Sequence, residues 1–151
     1  MAEIVRTVRS GVRDVDGLLG EHAWAGHSLT YSFPTRAYQW SGYGYGDEPY
    51  DYFEPLNATQ RSVVTDVLGQ YSAVANLRFT ATTAGFGTLR FGMSDVPETA
   101  HAYLPTTSAV GGDSWYNNSG PRYDNPLRGN YAYHTFLHES GDALGLKHAH
   151  E

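Results

Sequence analysis

Apolar positions recur with helical spacing in two stretches of the chain. Between residues 58 and 75, Val63, Val64, Val67, Leu68, Tyr71 and Val74 fall on one side of a helix. Asn57 followed by Gln60 supplies a capping box at its start. A second helix is expected over 130–144, stopped by Gly145, which can take the left-handed conformation without a steric cost. Elsewhere the period changes. Leu29, Tyr31 and Phe33 alternate ahead of Pro34, which predicts a strand over 28–33. Residues 77–82 and 88–93 read as two strands separated by the turn Gly85-Phe86-Gly87. Shorter strands are expected at 101–104 and 113–116 around Gly111-Gly112, short enough to lie at sheet edges. In residues 1–20, Val12, Val15, Leu18 and Leu19 are spaced for one face of a short helix, so this segment is expected to be a packing arm. Residues 35–55 are dense in Tyr, Gly and Asp without a sustained period and read as an ordered aromatic loop. The expected fold class is therefore α/β or α+β, with no internal repeat.

Composition narrows this picture. A chain of 151 residues suits one domain with its own core. With 40% hydrophobic residues, 14% aromatic residues and 17 glycines it should fold, with many loops, rather than stay disordered. A formal net charge of -6 disfavours nucleic acid and anionic membrane as partners. No apolar stretch approaches the roughly 20 residues that span a bilayer, and the first residues lack the apolar core of a cleavable signal. The absence of cysteine excludes disulfides and thiolate ligands, leaving His, Asp, Glu and Tyr as the side chains that could bind a transition metal.

Four of the seven histidines lie between His134 and the C-terminus. On a helix His138 and Asp142 are four residues apart and share a face, so both can approach one ion, with Glu139 beside them in position to act on water. A sharp stop at Gly145 would return His148 toward the same point. That makes three potential ligands and a base. Taken alone, a helical His-x-x-x-Asp pair is more often an exposed hydrogen-bonded pair. His134 is expected to pack or to support a ligand, and His150 to be solvated. Trp115, Tyr103 and Tyr116 could line a groove or fill a core with equal ease.

The segment 133–148 resembles the metzincin pattern H-E-x-x-H-x-x-G-x-x-H, with Asp142 where the second histidine should be. Its surroundings resemble the serralysins, secreted bacterial metalloendopeptidases. Asp16-Gly17-Leu18-Leu19, Leu29-Thr30-Tyr31-Ser32-Phe33-Pro34 and Val74-Ala75-Asn76-Leu77-Arg78-Phe79 look like serralysin sequence, as do Ala102-Tyr103-Leu104-Pro105, Gly111-Gly112-Asp113-Ser114-Trp115 and Gly129-Asn130-Tyr131-Ala132-Tyr133-His134. The likeness runs from about Asp14 onward. It implies a metzincin-like N-terminal subdomain, a twisted mixed sheet with a long packing helix and an active-site helix. It also implies one catalytic zinc with His138 and His148 as carried-over ligands, Asp142 in the third place and Glu139 as general base. The edge strand, at Ala102, Tyr103 and Leu104, would hold a protein or peptide substrate extended. Secretion from a bacterium and a monomeric state follow from the same resemblance.

Three departures cluster in the motif. Asp142 replaces a ligand histidine, Ser140 stands at a usually bulky apolar position, and Ala149 replaces a usual proline. Aspartate reaches less far than imidazole and its charge reduces the ion's pull on water, so weaker zinc binding is expected. The residues end at Glu151, ahead of the family's methionine turn and later tyrosine ligand, so a truncated catalytic domain is expected. Gly111-Gly112-Asp113 occurs once, so no calcium-binding repeat domain and no calcium are expected. The functional expectation is a zinc-dependent metalloendopeptidase domain, impaired in this copy. The alternative is a noncatalytic peptide-binding or scaffold module derived from a metalloprotease.

Overall fold

The computed structural model describes residues 2–150. In chain order the elements are β1 (Ile4–Arg6), α1 (Arg13–Asp16), β2 (His22–Trp24), β3 (Ser28–Ser32), α2 (Ala58–Val74), β4 (Arg78–Ala81), β5 (Leu89–Ser94), β6 (Ala100–Ala102), β7 (Asp113–Asn117) and α3 (Tyr131–Leu144). Five strands form one sheet in the order β4-β3-β5-β7-β6, parallel except for β6, which runs antiparallel along β7. β1 and β2 make a separate antiparallel pair. This is a mixed α+β fold with a long helix and a mixed sheet, as a metzincin-like subdomain has in general terms.

Both faces of the sheet are covered, which is why every residue of β5 is buried. On one face Leu89, Phe91 and Met93 meet Val64, Val67 and Leu68 of α2 and Phe136 of α3 in the main core. On the other, the aromatic loop lays Trp40 against Trp115 with ring centroids 4.1 Å apart, and packs Tyr43 and Phe53 edge-on to Trp115. Gly92 permits this close layer, because a Cβ there would come within 2.6 Å of Trp40 and 2.9 Å of Trp115. Trp115 and Tyr116 are core residues, one on each face.

The segments 77–82 and 88–93 contain the two expected strands, and β3 lies between them, pairing in parallel with both. Several expectations need correcting. The strand at 113–116 is no edge: β7 lies between β5 and β6. The edge strand is Ala100–Ala102, so Leu104 falls outside the ladder, although Tyr103 N–H still donates to Asp113 O at 2.8 Å. In the N-terminal arm only Arg13–Asp16 is helical, and Val12, Val15 and Leu18 are exposed, so they form no buried face. Val74, in the last turn of α2, is likewise exposed. The aromatic loop is ordered and contains two short 3-10 turns, Ala37–Gln39 and Glu48–Tyr50. The capping box is present as expected: Asn57 Oδ1 accepts from Gln60 N–H at 2.9 Å, and Gln60 Oε1 accepts from Asn57 N–H at 2.7 Å. Among the described residues no helix is long and apolar enough to cross a membrane.

Candidate metal centre

α3 is fixed at both ends and along its buried side. Asn130 Oδ1 caps its start by accepting from Tyr133 N–H at 2.9 Å. Phe136 is fully buried and stacks on Tyr116, centroids 3.9 Å apart at 12°. Tyr71 of α2 donates its hydroxyl to Leu137 O at 2.8 Å, and Tyr133 donates to Asp66, which Arg128 also holds. With Phe136, Ser140 and Ala143 turned into the core, the helical period leaves His134 and His138 toward solvent. Ser140 is fully buried, and its hydroxyl has no hydrogen-bond partner among the described residues.

Gly145 ends the helix with φ of 110°, the left-handed conformation expected from the sequence. The N-terminal arm then clamps the returning chain. Gly20 N–H donates to Gly145 O at 2.8 Å, Lys147 N–H donates to Leu18 O at 2.9 Å, and Leu19 bridges Leu146. Trp24 closes the last turn by donating its indole N–H to Ala143 O at 2.8 Å. Glycine is required at position 20, where a Cβ would sit 2.8 Å from Gly145 O. So the arm, which the sequence marked only as packing, aims His148 back at α3.

The consequence is a convergence of three ligand atoms. His138 Nε2 and His148 Nε2 are 2.8 Å apart, and Asp142 Oδ2 lies 3.6 Å from the first and 3.9 Å from the second. The three atoms all lie within 4.8 Å of one another, and the two imidazoles stand at hydrogen-bonding distance, slightly closer than the roughly 3.3 Å that separates ligands around a tetrahedral zinc. The short reach of aspartate therefore does not keep it from the cluster. The donor set of two imidazoles and one carboxylate, each partly exposed, fits a divalent transition metal. The next imidazoles stand further out: His134 has its ring 6.2 Å from that of His138, and His150 5.3 Å from that of His148.

Glu139 follows His138 and lines a cleft of about 300 Å³ between α3, the return turn and the sheet edge, which it shares with Asp142 and His148. Burial pushes its carboxyl up to about 7, the charge of Asp142 adds to the rise, and His101 and His148 oppose it. Ala102 and Leu104 line the same cleft, with Ala100, His101, Asp142, Lys147 and His148. Tyr103 is not among its lining residues; its hydroxyl donates to Glu48 Oε1 at 2.9 Å on the far side of the strand.

Sequence reasoning did not single out the polar groups behind the edge strand. Glu48 is buried in the aromatic loop and also meets His101 Nε2 at 2.6 Å. Deeper, Arg90 donates to both oxygens of Asp113 at 2.7 Å, and Tyr43 donates to Asp113 Oδ2 at 2.7 Å. Burial pushes Asp113 up to about 7 while the Arg90 guanidinium and the Tyr43 hydroxyl pull it back. The only sequence cue was charge set among aromatic residues, which has no period.

The fold and the His/His/Asp cluster define the class first: a potential metal-binding module related to metalloproteases. Relatives make the relation specific. The chain is 34% identical to Serralysin C of Dickeya chrysanthemi over 105 residues, 64% of this chain and 22% of that protein. It is 30% identical to Serralysin B of the same organism over 147 residues, 90% of this chain and 28% of that protein. It is 30% identical to Serralysin of Proteus mirabilis over 138 residues, 80% of this chain and 27% of that protein. The similarity is to serralysin-type metalloproteases at the family level, and the chain spans about a quarter of the length of these relatives. No family model matches the chain.

Proposed function

We propose that this chain is a zinc-dependent metalloendopeptidase-type domain in which His138, Asp142 and His148 hold the ion and Glu139 is the general base. The convergence of three ligand atoms within 4.8 Å of one another supports this reading most directly. When bound, zinc supplies Lewis acidity toward a peptide carbonyl and makes water more acidic. The chain's own groups do the rest. The outer edge of β6, continued by Tyr103 and Leu104, binds an extended peptide by strand addition. The Glu139 carboxylate takes a proton from the attacking water and returns it to the leaving amine nitrogen as the C–N bond breaks. A carboxyl near neutrality is a better proton acceptor than an ordinary glutamate, and its buried position keeps the proton off bulk water. By likeness to the serralysins, the whole protein would be a secreted bacterial peptidase acting on protein substrates as a monomer.

One observation favours the alternative, a module that binds peptide without cutting it. Asp142 adds a negative charge to the ligand set, which weakens the ion's pull on water and favours the protonated form of Glu139. The two readings separate in one experiment. Zinc-loaded protein is expected to cleave casein or a quenched peptide, to lose this with a chelator, and to lose at least about 100-fold in rate in Glu139→Ala. Peptide that is retained but uncut, equally in both proteins, would establish the noncatalytic module. Neither cleavage nor retention would overturn both.

A further inference from the structure

Backbone hydrogen bonding at the sheet edge follows a strict alternation. Thr99 O accepts from Asn117 N–H, and Tyr103 bonds to Asp113 and Gly112, so the odd positions of this segment turn toward β7. Ala100 and Ala102 then turn their N–H and C=O groups outward, while their side chains pack with the main core on the α3 side. The side chain of His101 projects to the opposite face, where its register partner Trp115 lies against Trp40. A peptide strand added at this edge bonds to Ala100 and Ala102. Its residue across from His101 forms a non-hydrogen-bonded pair, the closer of the two antiparallel arrangements, with both side chains on the same face.

That face is built to present His101. Glu48 is almost fully buried beneath it, at 4% side-chain exposure, while the imidazole is 39% exposed. The ring is held by Nε2 against Glu48 Oε1 at 2.6 Å and by edge packing on Tyr103 at 5.3 Å. Nδ1 makes no hydrogen bond among the described residues. Burial opposes the charge on Glu48, but hydrogen bonds from His101, from its own backbone N–H and from Tyr103 outweigh it and hold the carboxyl below the usual range. Asp47 adds further negative potential at Tyr103. The nearby guanidinium of Arg90 is already neutralised by Asp113. With Nε2 taken up by Glu48, Nδ1 is the ring nitrogen left over, and the Glu48 carboxylate lies beneath the ring.

From this geometry we infer that His101, backed by Glu48, is a specificity-determining residue that selects a lysine or arginine side chain at the substrate position across from it. The inference rests on the peptide-binding reading of the same edge. A cationic side chain there is drawn by Glu48 and by Asp47, whereas an acidic one is repelled by both. A neutral apolar residue gains neither.

The test is a positional-scanning set of end-blocked octapeptides carrying Arg, Lys, Leu or Glu at each position in turn. Binding is read by fluorescence polarisation on zinc-loaded protein in the Glu139→Ala background, so that no peptide is cut. One position is expected to favour Arg and Lys over Glu by on the order of tenfold. Glu48→Gln, which keeps an acceptor oxygen and removes the charge, should reduce that preference to roughly twofold or less and leave the other positions unchanged. His101→Phe should do the same and also guards against a folding defect in the first variant. Peptides that bind with no basic preference, or with one that both variants leave intact, would overturn the inference while the peptide-binding edge stands. Folded, zinc-loaded protein that retains no peptide at all would overturn the edge itself, and this inference with it.

Discussion

Zinc affinity is expected to fall by on the order of 100-fold in Asp142→Ala and to rise in Asp142→His. Asp142 Oδ2 sits 3.6 and 3.9 Å from the two imidazole nitrogens, so removing it leaves a two-ligand site that closes only with water. The loss should appear in competition titrations against a coloured zinc chelator. Histidine at 142 offers a neutral imidazole, which suits zinc better than a carboxylate and leaves the ion more charge with which to act on water. Peptide cleavage should therefore rise with affinity in Asp142→His. In the metal-free protein Asp142→Ala should alter stability far less than it alters zinc binding, because the two histidines that face the carboxylate are themselves partly exposed and solvent screens the pairs. Unchanged zinc affinity in Asp142→Ala would remove aspartate from the ligand set.

The second large effect is on the helix that presents the site. Phe136→Ala is expected to destabilise the fold by about 3–5 kcal/mol, the range for removing a buried aromatic ring. Phe136 is fully buried and stacks on Tyr116, which joins α3 to the sheet. A domain of this size holds about 5–15 kcal/mol in total, so the loss takes a large share of it. Urea denaturation followed by tryptophan fluorescence should show the midpoint falling with little change in slope. Zinc should recover part of the stability, because an ion that binds only the folded chain shifts the balance by mass action. A cost below about 1 kcal/mol would mean that α3 is held by its ends and not by this ring.

Much of the site-bearing architecture could be read from the residues. α2 and α3 announced themselves through Asn57 and Gln60, through the spacing of Val63, Val64, Val67 and Leu68, and through Gly145, all local signals. The approach of His138, Asp142 and His148 followed from one helical turn and one glycine stop. What stayed hidden depends on partners far apart in sequence. β3 inserts between β4 and β5, an order that no local period encodes. The valines of the arm suggested a helix, but its contribution is backbone: Leu18 and Gly20 bond to Lys147 and Gly145, contacts that leave side chains exposed and hence unpatterned. Glu48 was hidden for a related reason. It is buried by a loop that folds across the sheet, and it becomes meaningful only once β6 brings His101 and Tyr103 over it.

Every functional step here requires two imidazoles and an aspartate to close on one ion. Calorimetric titration of metal-free protein with zinc, run on the native sequence and on the double variant His138→Ala/His148→Ala, tests this most directly. One zinc per chain in the first, and none in a double variant that still folds by circular dichroism, is the expected pair of results. A folded native chain that takes up no zinc, or a double variant that binds as tightly as the native chain, would contradict it.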